Sequence, residues 1–117
     1  MTGLITRTFG RLATIDHEAG ELKDDAEKAG CEPISSQPMR SYVAIHGVLR
    51  SVTLRPVRGV SALEAELYDG SASVTLVWLG RRRIEGIVPG RQLTAHGRLG
   101  TRKGQRILYN PRYELGI

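Results

Sequence analysis

The stretch ALEAELYDGSASVTLVWL, residues 62–79, limits the available folds more than any other part of the chain. Leu63, Ala65 and Leu67 alternate strictly with Glu64, Glu66 and Tyr68. A period of two puts the first set on one face of a strand and the second on the other. Asp69 and Gly70 then open a turn of small polar residues, and VTLVWL resumes as a second strand. Strand, short turn and strand make an antiparallel hairpin. Its apolar face has to close over a core.

The same grammar runs on either side. YVAIHGVLRSVTL, from Tyr42, is rich in β-branched residues and broken by Gly47, where an isolated glycine marks a bulge or sharp bend. RQLTAHGRL reads as a fourth strand, GTRKG as a tight turn, and QRILYNPRYEL as a fifth strand ended by Pro111. Between strands three and four, GRRRIEGIVPG reads as a loop with room for one helical turn.

Residues 1–40 read differently. Ile5, Phe9, Leu12, Ile15, Ala19, Leu22, Ala26 and Ala29 recur at steps of three and four, the spacing of one helical face. Gly30 follows as a stop signal. Gly10 and Gly20 each cost about 1 kcal/mol against alanine, and much of the stripe is only alanine, so this arm needs a surface to lie on. CEPISSQPMR then reads as a turn-rich linker. The expected organisation is a helical arm and linker over 1–40 and a strand domain over 41–117.

Five short strands with a bent first strand and the longest connection between the third and fourth match an all-β, five-stranded OB-fold Greek-key barrel preceded by an N-terminal helical segment. The segment ALEAELYDGSASVTLVWLGRRRIEGIVPGRQLTAHGRLG also resembles OB-fold nucleic-acid-binding domains of the tRNA-anticodon type. It looks especially like the wedge domain of the RecG branch-migrating helicases, and YNPRYEL resembles that wedge's closing strand. The resemblance covers about residues 42–115; with its leading helix the chain resembles small stand-alone OB proteins of GC-rich bacteria. Helicase motifs are absent, so no ATP-driven activity is implied. The short connection after strand three leaves little room for the helix that many OB barrels carry there, which makes the N-terminal stripe a candidate plug.

Charge separates along the same boundary. Residues 1–40 carry 5 basic and 7 acidic side chains, residues 41–117 carry 12 and 5, and 14 of the 17 basic residues are arginine. Arginine's planar fork matches phosphate oxygens, where lysine offers a point charge. Such asymmetry suggests a nucleic-acid or anionic-membrane partner. No stretch approaches 18 apolar residues and no signal-peptide core precedes the strands, so the chain reads as soluble and cytoplasmic, without a membrane partner.

Three basic clusters are candidates for phosphate contact: Arg81, Arg82 and Arg83 after strand three; Arg102, Lys103 and Arg106 on the last hairpin; Arg50, Arg55 and Arg58 around the end of strand one. The latter two sit where OB loops flank a ligand groove. Tyr68 shares the exposed parity of Glu64 and Glu66 and is the better base-stacking candidate, with Tyr109 as a second. Trp78 shares the parity of Val74 and Leu76, which favours the core over a stacking platform.

Other chemistries find little support. Cys31 is the single cysteine, which excludes an intrachain disulfide and a cysteine zinc cluster. His46 and His96, in repeated His-Gly pairs on neighbouring strands, lack a third ligand for zinc. No nucleophile elbow, phosphate-cradling glycine motif or zinc-protease motif occurs. The expectation is a non-catalytic module without cofactor or metal, binding single-stranded or branched DNA, or RNA. The rival reading is an assembly adaptor whose helical arm pairs with a protein partner or a second copy. The run Asp16–Lys28, with 6 acids and 2 bases, suggests a shield over the basic surface when nucleic acid is absent.

Overall fold

The computed structural model describes residues 12–116. Helix α1 (Leu12–Lys28) leads through a 3-10 turn (Ile34–Ser36) into seven strands: β1 (Tyr42–Val57), β2 (Val60–Tyr68), β3 (Ser73–Leu79), β4 (Gln92–Arg98), β5 (Gly100–Arg102), β6 (Gln105–Tyr109) and β7 (Arg112–Leu115). They form one sheet in the order β5-β6-β3-β2-β1-β4-β7. All ladders are antiparallel except β3–β6.

β1 makes the sheet curl. Its first half, Tyr42–Val48, pairs with β4, and the stretch from Val48 to Val57 pairs with β2. The crossover falls at Val48, next to Gly47, whose missing side chain matters: a Cβ there would sit 2.5 Å from the Tyr68 carbonyl oxygen. The bulge expected at this glycine lies instead at Arg50, between the paired Leu49 and Ser51. The glycine admits a close backbone approach, and the extra residue re-aims the strand.

Seven strands replace the expected five because the first three residues of GTRKG, read as a tight turn, form a strand of their own, and the expected fifth strand is interrupted. Leu99 separates β4 from β5; its N–H donates to Ser41 and its carbonyl accepts from the Arg40 N–H at 2.7 Å, outside any ladder. Pro111, with no N–H to donate, separates β6, which pairs with β3, from β7, which pairs with β4. One residue thus links β4 to β5 at the far end of the sheet order, and the sheet bends back on itself.

The inward faces of the strands supply the core, with Ile45, Leu49, Leu67, Leu76, Leu93 and Leu108 all fully buried. Each such side chain contributes about 1.5–3 kcal/mol. Ile34, Ile84 and Ile87 join the same cluster. These come from the segments read as linker and loop; one aliphatic residue among turn residues gives no periodicity to read. Ile34's turn is fixed by Asp69, whose buried carboxylate accepts from Ile34 N–H (2.8 Å), Ser71 N–H (2.8 Å), Ser71 Oγ (2.7 Å) and Ala72 N–H (3.1 Å).

Helix α1 ends as expected. Gly30, at φ +81°, is the left-handed cap, with Cys31 N–H donating to Ala26 and Gly30 N–H to Glu27. Ala19, Leu22, Ala26 and Ala29 are more buried than the flanking Glu21, Lys23, Asp24 and Glu27. Ile5 and Phe9, the start of that stripe, lie outside the described residues. The Ala19 carbonyl lies against Gly70, where any Cβ would collide with it. A directional chain ties the helix to the sheet. The Asp25 carboxylate accepts from Gln92 Nε2 (3.4 Å), Gln92 Oε1 faces His46 Nε2 (3.0 Å), and His46 Nδ1 faces Thr94 Oγ1 (2.9 Å). A carboxylate only accepts, so Gln92's amide presents oxygen to His46, which must carry its proton on Nε2.

Candidate functional site

The outward parity of β1, β2 and β3 is polar along much of its length. Ser51, Thr53 and Arg55 stand beside Glu66 and Glu64, and Ser73 and Thr75 follow on β3. With Arg102, Gln105 and Arg106 of the last hairpin they line a groove of about 280 Å³. Three arginines against two glutamates leave it one net positive charge.

Glu64 is the knot of this groove. Only 8% of its side chain is exposed, and Arg102 grips it with both terminal nitrogens, Nη1 to Oε2 at 3.1 Å and Nη2 to Oε1 at 3.3 Å. Arg55 Nε approaches from the other side at 3.4 Å. The hydrogen bonds it donates to Glu64 raise Arg102's already high pKa; burial opposes them, and the Tyr109 hydroxyl beside it adds to the rise. Arg55 and Arg102, expected to reach for phosphate, are therefore held on a carboxylate, where they anchor the β1–β2 and β5–β6 hairpins to each other. Arg106 Nε is buried and unpartnered.

The two hairpin tips carry cations in an unusual conformation. Arg58–Gly59 and Lys103–Gly104 are two-residue turns with φ values of 50°, 81°, 53° and 78°. This double positive φ is the type I′ turn, whose first position ordinarily takes Asn, Asp or Gly. Both tips are exposed.

The remaining predicted residues distribute as follows. Arg81, Arg82 and Arg83 are exposed, and Arg82 Nη1 donates to Ser61 Oγ at 3.1 Å. Ser61 is three residues from Glu64, so the arginine loop and the two hairpins all touch the first half of β2, but from opposite faces of that strand. Arg50 and Tyr68 lie at the other end of that strand, with the guanidinium 3.9 Å above the ring centroid. One face of the predicted stacking platform is thus already covered. Tyr109 is half exposed. Trp78 is core: it is 5% exposed, donates Nε1–H to the Pro111 carbonyl at 3.1 Å and meets Tyr113 edge-on. Arg40, Arg98 and Tyr42 escaped the sequence reading. Arg98 shares the outer parity of Thr94 and His96, a signal that was legible; the left-handed backbone of Arg40 (φ 66°) was not.

Among the described residues no group of three or more His, Cys, Asp and Glu could hold a metal ion, and no helix is long and apolar enough to cross a membrane. His46 is occupied by Thr94 and Gln92, and His96 faces Glu114 at 3.3 Å.

No family model and no curated protein matches the chain. Among solved structures it is similar to RecG bound to a three-way DNA junction, with a TM-score of 0.61 and 20% sequence identity, over 74% of this chain and 12% of that one. The chain therefore spans about an eighth of its neighbour's length. At that identity the likeness establishes a shared fold: a predominantly β, curled sheet of the kind found in that DNA-bound protein.

Proposed function

We propose that this chain is a non-catalytic OB-type module that binds single-stranded or branched nucleic acid through its arginine-bearing loops. Merging β4 with β5 and β6 with β7 across their single interruptions leaves the five strands of that barrel. The observation that carries the reading is that three basic segments gather around the first half of β2, the arginine loop at Ser61 and the two hairpins at Glu64 on the opposite face. A backbone laid along them meets Arg81, Arg82 and Arg83, then Arg58, Lys103 and Arg106, with Arg55 and Arg102 held in the floor. The fold shared with a DNA-bound protein supports the same class of partner.

The test is a titration of labelled single-stranded DNA, duplex, forked junction and RNA at several salt concentrations. If four to six phosphates are contacted, the log–log salt slope is about −3 to −4 for single strands, at roughly 0.7 per phosphate. Changing Arg81, Arg82 and Arg83 to Glu abolishes that binding. Failure of all four probes, with a protein partner recovered instead, favours the adaptor.

A further inference from the structure

On another side of the β5–β6 hairpin lies a cavity of about 340 Å³ that belongs to none of the predicted clusters. Its floor is apolar: Leu99 and Ile107, each 1% exposed, with Gly100 between them in the lining. Its rim is Arg40 and Arg98 on one side and Tyr109 on the other. Tyr109 is 50% exposed. Among the described residues neither Arg40 nor Arg98 joins the ion pairs, which are Arg55–Glu64, Arg102–Glu64 and His96–Glu114. Tyr42, 70% exposed, stands across from Arg98 in the β1–β4 ladder.

Two features make this more than a surface dent. Arg40 is held at φ 66° by its N–H bond to the Leu99 carbonyl at 2.7 Å, a backbone state that L-residues with long side chains rarely adopt. The fold thus fixes an arginine where glycine would fit more easily. Tyr109 also connects the two sites, because its hydroxyl lies beside Arg102 of the polar groove while its ring edges the cavity.

We infer that this cavity is a seat for one unpaired nucleotide, its base laid against Tyr109 over the Leu99–Ile107 floor and its phosphate held between Arg40 and Arg98. An apolar floor beside an exposed aromatic residue suits a base, and two cations without carboxylate partners suit its phosphate. The inference rests on the proposed nucleic-acid binding and extends it: a strand leaving the polar groove past Tyr109 enters this seat.

The test uses an oligothymidine containing a single 2-aminopurine, with free thymidine monophosphate as a second arm to separate strand binding from mononucleotide binding. Stacking quenches the 2-aminopurine emission. In Tyr109→Ser the quench is lost and affinity falls about 5- to 150-fold, the range for one stacked base. Arg40→Gly keeps the left-handed backbone while removing the cation, and with Arg98→Ser it removes the one phosphate contact and lowers the salt slope by roughly 0.7. If these variants melt like the wild type and bind and quench like it, the seat is refuted, even where the Arg81, Arg82 and Arg83 variant loses binding. If the wild type binds no oligonucleotide, the proposed function falls and the seat with it. If the monophosphate alone binds, a strand path through the seat is refuted.

Discussion

Arg58 and Lys103 offer a perturbation with opposite effects on stability and binding. Each occupies the first central position of a type I′ turn with φ near 50°. The left-handed region costs an ordinary L-residue about 1–2 kcal/mol, and asparagine is enriched there. Changing both to Asn keeps the turn and removes part of that strain, about 0.5–1 kcal/mol per tip. The two together raise Tm by roughly 4–12 °C for a domain near 100 residues. The same substitutions remove two cations from exposed tips, so the salt slope for single-stranded DNA shrinks by about 1.4. Thermal denaturation and anisotropy titrations across a salt series measure the two effects on the same samples. An unchanged or lower Tm would refute stored strain at the tips. A higher Tm with an unchanged slope would refute their contact with the polyanion and leave the strain argument standing.

Three further outcomes follow from buried groups. Asp69→Ala leaves the Ile34, Ser71 and Ala72 N–H groups without their acceptor, and urea denaturation should register a loss of about 2–4 kcal/mol, more than for Asp69→Asn. Glu64→Gln removes the carboxylate that holds Arg55 and Arg102, so oligonucleotide affinity rises with a steeper salt dependence, while unfolding occurs at lower urea. Burial, and secondarily the charge of Glu114, raises the Cys31 thiol pKa, so less thiolate is present at any pH near neutrality. Iodoacetamide therefore modifies Cys31 more slowly than a free cysteine at pH 8, the rate climbs over a more alkaline range, and Glu114→Gln speeds it.

The alternation of Leu63, Ala65 and Leu67 with polar neighbours, the helical spacing of Ala19, Leu22, Ala26 and Ala29, and the Gly30 stop were all legible in the sequence. Each is a local signal, set by the backbone period of its own segment. So was the parity that puts Trp78 among the core residues. The breaks at Leu99 and Pro111 were harder. Leu99 leaves the ladder only because Arg40 and Ser41 arrive to take its backbone groups, and Pro111 ends one pairing only because β7 finds β4.

The sequence by itself determined which segments pair locally, which faces are apolar, and that the basic charge belongs to the strand-rich part. Tertiary structure decided how that charge is used. It put Arg55 and Arg102 on Glu64, Arg50 on Tyr68, and left Arg40 and Arg98 facing a cavity that no motif announced. The reason is geometric. Hydrophobic period depends on neighbours a few residues away, whereas an ion pair depends on which side chains meet across 38 residues of chain, as Arg102 and Glu64 do. Only the closed fold sets that distance.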